Sequence, residues 1–128
     1  TPAQDWANYP DALGALIERL KGVVIENRAA SACMAQHDNP ETLHYVDPPY
    51  LPETRSTKTK NGERYHAYAH ELTAEDHGDL LAYIQDLRGM VVLSGYPSAL
   101  YDAALLPTWF RVERKALADG TRERTEVL

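Results

Sequence analysis

Hydrophobic and polar positions along the chain predict helices and short buried strands in alternation. Leu13, Leu16, Ile17 and Leu20 recur at i, i+3, i+4 and i+7, which predicts an amphipathic helix over residues 11–20. Lys21-Gly22 ends it, Val23-Val24-Ile25 reads as a buried strand, and Glu26-Asn27-Arg28 leaves that strand's carboxyl end. Residues 29–36 read as a weak helix of small residues, and Asp38-Asn39-Pro40 as a turn. The apolar run Leu43-His44-Tyr45-Val46 predicts a second buried strand, broken by Asp47-Pro48-Pro49-Tyr50 because proline donates no backbone hydrogen bond. From Leu51 to about His70 the chain is polar, with Asn61-Gly62 inside, and reads as a loop. Thr73 is an N-cap followed by acids, Leu80, Leu81, Ile84 and Leu87 form a helical stripe, and Gly89 is the stop. Met90-Val91-Val92-Leu93 reads as a fully buried strand, as parallel strands tend to be, and Ser94-Gly95-Tyr96-Pro97 turns out of it. A short helix over 100–106 stops at Pro107, and segments 109–117 and 121–128 flank Asp119-Gly120, a hairpin signal.

Composition narrows the class without naming a function. At 128 residues, 44% hydrophobic and 25% charged, the chain is one α/β domain with a core of its own. No apolar run approaches the roughly 18 residues of a membrane span, and no signal-peptide pattern opens the chain. A lone cysteine, Cys33, excludes an internal disulfide and fits a reducing cytoplasm; its apolar surroundings suit a packed thiol better than a nucleophile. A net charge of −6 has the wrong sign for bulk attraction to nucleic acid, so DNA binding would need local patches. Segment 51–70 offers one, with Arg55, Lys58, Lys60 and Arg64 exceeding Glu53 and Glu63 by two charges; Arg111, Arg114, Lys115, Arg122 and Arg124 offer another. Tyr65, His66, Tyr68 and His70 lack the acidic or thiol partners at metal-ligand spacing, so no metal is expected there.

The chemistry concentrates at Asp47-Pro48-Pro49-Tyr50, an acid, two fixed carbonyls and a ring at the carboxyl end of a strand, where open α/β sheets bind ligands. An exocyclic amino group on a base is a poor nucleophile because its lone pair is delocalised into the ring. Two acceptors on its N–H groups, the Asp47 carboxylate and the Pro48 carbonyl, would favour a pyramidal nitrogen and expose that lone pair. Tyr50 would stack on a base taken out of its helix, worth roughly 1–3 kcal/mol. A Pro-Pro turn with Asp47 as a cap and Tyr50 in the core is the plainer alternative. Ser94 and Tyr96 either line the same site or form an ordinary turn.

Asp-Pro-Pro-Tyr after an apolar strand resembles the catalytic motif of amino-group methyltransferases. Longer stretches resemble the Dam-like, phage-type DNA adenine-N6 methyltransferases: Val23 to Asn27, Thr42 to Tyr50 with Glu53-Thr54-Arg55, His70 to His77, Gly89 to Tyr96, and Arg124 to Leu128. The resemblance implies a Rossmann-like S-adenosylmethionine-dependent methyltransferase fold, with double-stranded DNA as partner. It implies Asp47, Pro48, Pro49 and Tyr50 as catalytic residues. Asn27 and Arg28, with Asp47, become candidate contacts to S-adenosylmethionine, although Asn27 and Arg28 also suit a polar strand exit. Arg55, Lys58 and Lys60 are expected near DNA phosphates. No metal is implied.

A donor-binding methyltransferase needs a glycine-rich turn after its first strand. The seven glycines here are scattered singly, so the resemblance covers the later part of the catalytic domain, ending in an antiparallel hairpin, without the glycine-rich N-terminal half. The first residue, Thr1, reads as the start of a fragment. In the family two further strands lie between the Val23 strand and the Tyr45 strand, so the two strands here must pair directly, expose edges or borrow strands, and a homo-oligomer or a rearranged sheet is expected. Methylation of an amino group in RNA or protein, or a non-catalytic remnant that binds DNA or a partner, are the rival functions. The leading acid of the tetrad and the basic loop after it favour DNA adenine. Restriction-modification, phage and housekeeping roles all suit that activity.

Overall fold

A computed structural model describes residues 2–54, 70–106, 108–118 and 122–128. In chain order the elements are α1 (Pro2–Leu20), α2 (Ala30–His37), β1 (Leu43–Val46), a 3₁₀ turn (Pro52–Thr54), α3 (Ala74–Gln85), β2 (Met90–Leu93), α4 (Ala99–Leu105), β3 (Glu113–Ala118) and β4 (Arg122–Val127). The class is mixed α/β, as expected.

β1 and β2 pair in parallel, Leu43 opposite Met90 through Val46 opposite Leu93, with α3 on the connection between them. β3 and β4 form the expected antiparallel hairpin, joined to the end of β2 by a bridge between Gly95 and Val127. The turn residues Asp119 and Gly120 lie outside the described set.

Period-2 alternation decides which side of the β1–β2 pair is covered. Val46, Val91 and Leu93 pack with Met34 of α2, Leu81 and Ile84 of α3, and Leu100, Tyr101 and Leu105 of α4. Leu81 and Ile84 are fully buried, each contributing about 1.5–3 kcal/mol by leaving water. Leu43, Tyr45 and Met90 alternate to the other side and stay exposed. Polar groups lock the helices together: His77 Nδ1 and the Tyr101 hydroxyl share a hydrogen bond of 2.7 Å, and the Tyr83 hydroxyl donates to the Ser31 carbonyl at 2.9 Å. His77, expected to be structural, has no exposed surface.

α3 begins as the sequence predicts. Thr73 and Asp76 form a reciprocal capping box, each side chain accepting from the other's backbone amide. Its end differs. The helix closes at Gln85 on an Asp86 cap, and Gly89 is needed for another reason: a Cβ there would lie 2.7 Å from the Thr42 carbonyl oxygen.

Two expectations near the amino end are corrected. The first helix runs from Pro2, through Pro10, to Leu20, and its stripe residues Leu16, Ile17 and Leu20 remain at least half exposed. Val23-Val24-Ile25 is not a buried strand: it pairs with nothing among the described residues, and Ile25 is 91% exposed. A strand exists through its neighbour's ladder, and apolar, β-branched residues alone cannot supply one.

Asp38, read from the sequence as part of a turn, ties three elements together. Its carboxylate accepts from the amides of Arg88 and Gly89, each at 2.9 Å, and from His44 Nε2 at 3.2 Å. The Arg88 amide, then the Gly89 amide and His44, hold its carboxyl below the ordinary value of 3.8 against the opposing effect of desolvation. A depressed folded-state pKa gives stability that is complete above the unfolded value and lost as pH falls through the folded one. Urea unfolding midpoints should therefore fall as pH drops below about 4, and Asp38→Asn should flatten that fall. An unchanged acid slope in the variant would remove this role.

Candidate active site at the carboxyl ends of β1 and β2

β1 ends at Val46, whose carbonyl accepts the Ser94 amide at 3.0 Å as the last rung between the strands. Pro48 and Pro49 then carry the chain out of the sheet. Pro48 is buried, Leu51 is 3% exposed and anchors the turn, and the Thr54 hydroxyl closes it on the Leu51 carbonyl at 2.8 Å. Between these anchors Asp47 is exposed and Tyr50 is half-buried. The tetrad sits at the lip of the strand, with its acid open to solvent.

The next strand supplies the partner. Ser94 is 5% exposed, and its hydroxyl donates to Asp47 Oδ1 at 2.7 Å; the Val46 carbonyl, at 3.3 Å, is the weaker acceptor for the same proton. A buried donor therefore fixes one oxygen of an exposed carboxylate. The Tyr50 phenol is pushed up to about 12, first by desolvation, then by the negative charges of Asp47 and Glu126 and by its hydrogen bond to Asp47; Ser94 opposes the shift. Tyr50 thus stays a neutral hydrogen-bond donor at any physiological pH.

Tyr50 meets Tyr96 edge-on, with ring centroids 4.6 Å apart and planes at 69°. The Arg124 guanidinium lies 5.7 Å from the Tyr96 ring centre, and amide–carbonyl bonds of 3.0 and 2.8 Å between Gly95 and Val127 hold this turn to β4. Ser94 and Tyr96, which the sequence left open as site or turn, both belong to the cluster around Asp47 and Tyr50. The sequence places Ser94 at the sheet edge near Asp47, and the parallel register, across 47 positions, makes it the donor that fixes the carboxylate.

Asn27 is exposed. Arg28 donates to Gln36 Oε1 at 2.5 Å and pairs with Glu26. Among the described residues no hydrogen bond or ion pair joins either of them to the tetrad. Arg55, Lys58 and Lys60 lie outside the described residues. A cavity of about 600 Å³ opens beside β2, α4 and the hairpin, lined by Leu87, Tyr101, Trp109 and Leu128 among others; Tyr96 borders it and none of Asp47 to Tyr50 does.

No protein-family model matches the chain, and no curated protein or solved structure matches it. No helix among the described residues is long and apolar enough to cross a membrane.

Proposed function

We propose that this chain is the acceptor-holding portion of an S-adenosylmethionine-dependent DNA adenine-N6 methyltransferase. The observation that supports the reading is an exposed carboxylate, Asp47, fixed by a buried hydroxyl at the ends of two parallel strands and flanked by Tyr50. The parallel β1–β2 pair with α3 between, continued by a hairpin through Gly95, suits the later part of a Rossmann-like sheet.

In this reading a flipped adenine presents its amino group to Asp47 and to the Pro48 carbonyl, which accept its two N–H groups and turn the lone pair outward. Tyr50 stacks on the base, and Pro48 and Pro49 fix the turn so that little ordering remains at the moment of reaction. S-adenosylmethionine, when bound, would supply an electrophilic methyl group and leave as S-adenosylhomocysteine as the S–CH3 bond breaks, the methylated nitrogen then releasing one proton to solvent. Asp47 lies beside the nitrogen as positive charge develops there, and this favours the transition state more than the ground state. The same reading assigns Arg55, Lys58 and Lys60, from their place in the sequence, to phosphates.

The donor side is less complete. No glycine cluster is present, and Arg28 would have to leave Glu26 and Gln36 to touch a cofactor, so Asn27 is the better contact of the two. These features also favour a second reading, a non-catalytic module that binds DNA or a partner. Methyl incorporation into duplex DNA, abolished by Asp47→Ala, tests the first reading. Its absence, together with no binding of S-adenosylmethionine, supports the second.

The reading also includes self-association. Among the described residues one edge of β1 and the Val23-Val24-Ile25 run have no strand partner, and together with the bare Leu43 and Tyr45 side chains they offer apolar surface for association. Light scattering at tens of micromolar should give a mass above that of one chain, which is 14.4 kDa; a stable monomer would remove this element.

A further inference from the structure

Away from the tetrad, Glu26, Cys33 and His37 converge: one ligand atom from each lies within 4.8 Å of the others. The sequence hides this group. Cys33 and His37 are four residues apart on α2, so they share one face of the helix, while Glu26 arrives from the irregular segment before it. His37 Nε2 already sits 2.6 Å from Glu26 Oε1. Arg28 engages the other oxygen of Glu26 and donates to Gln36, which holds the carboxylate in orientation as outer partners of metal ligands do.

We propose that Glu26, Cys33 and His37 form a zinc site. The donor set is a thiol sulfur, an imidazole nitrogen and a carboxylate oxygen, which suits a borderline cation such as Zn²⁺ and disfavours calcium or magnesium, whose ligands are oxygens. Bonds of about 2.0–2.3 Å at tetrahedral angles put ligand atoms roughly 3.3–3.8 Å apart, so small side-chain rotations close the site. Binding exchanges the His37–Glu26 hydrogen bond for two metal bonds. The Cys33 thiol gives up its proton to solvent, and the two ligand charges then match that of the ion. Three protein ligands leave the fourth position to water. The ion clamps the 26–28 segment, which carries Asn27, onto α2.

Cobalt(II) is the probe, with Zn²⁺ as competitor. The chain has one cysteine, so a cobalt–thiolate charge-transfer band has a single source. Titration should produce that band together with tetrahedral visible bands, and Zn²⁺ should abolish both. Cys33→Ser should remove the charge-transfer band, and His37→Ala and Glu26→Gln should each weaken affinity more than tenfold. Zn²⁺ should also raise the thermal midpoint of the parent and not that of Cys33→Ser. No thiolate band in the parent, or unchanged affinity in His37→Ala, would overturn the site, since the other histidines can hold cobalt only without sulfur.

Discussion

Asp47→Ala is expected to lower methyl transfer to duplex DNA by at least about 100-fold while leaving the fold intact. Loss of one fixed group aimed at developing charge typically costs 10²–10³ in rate. Stability should change little, because Asp47 is exposed and the buried Ser94 hydroxyl can turn to the Val46 carbonyl already 3.3 Å away. Asp47→Asn keeps shape and one acceptor oxygen but loses the charge, so it should also be severely impaired. Ser94→Ala separates holding the carboxylate from being it. The hydroxyl touches Asp47, so kcat should fall roughly tenfold, as for loss of a hydrogen bond to a charged group, with KM for DNA nearly unchanged. Circular dichroism and a thermal melt confirm folding; radiolabelled methyl incorporation reads the chemistry. Full activity in Asp47→Ala would overturn the assignment of the tetrad, and a KM effect alone in Ser94→Ala would make Ser94 a DNA contact.

What the sequence revealed follows the range of each signal. The N-cap at Thr73, the strands at Leu43 and Met90 and the Pro-Pro exit are local, and each lies where the pattern put it, although both strands, expected buried, are covered on one face only. The Val23-Val24-Ile25 run has the composition of a buried strand, yet its pairing depends on a neighbour that no local pattern encodes. The same holds for the α1 stripe, whose period fixes the helix but not what covers it. At the site, the tetrad was legible as a motif. The hydroxyl that holds its acid and the Tyr96 ring against Tyr50 come from the turn after β2, and the Arg124 beside that ring comes from β4, two distant stretches joined to the tetrad by strand register. Asp38 shows the limit most plainly: the sequence places it in a turn, and the backbone amides it accepts from are 50 and 51 positions away.

The largest stability effect is expected at Gly89. A Cβ there would stand 2.7 Å from the Thr42 carbonyl oxygen, 3.0 Å from that of Asn39 and 3.1 Å from His44 Cδ2. Two of these atoms are backbone, so no side-chain rotation relieves the contact. The Thr42 carbonyl also accepts the Met90 amide at 2.8 Å, the bond that opens the β1–β2 ladder, and the Gly89 amide is held by Asp38. Moving the chain to admit a methyl group therefore strains the ladder and the Asp38 node together. Gly89→Ala should cost about 2–3 kcal/mol, as overpacking against rigid neighbours does. That corresponds to a fall of roughly 10 °C in thermal midpoint for a domain of this size. Gly78 supplies the control. It lies inside α3 with nothing within 4 Å of a built Cβ, so Gly78→Ala should stabilise by about 0.5–1 kcal/mol through helix propensity. The two substitutions add the same methyl group to the same residue type, and opposite signs are expected from their surroundings alone. Equal effects in urea unfolding would mean that residues 39–42 can yield at Gly89. The close approach of the β1 and β2 entry segments, which sets the register bringing Ser94 to Asp47, would then not be what fixes the site.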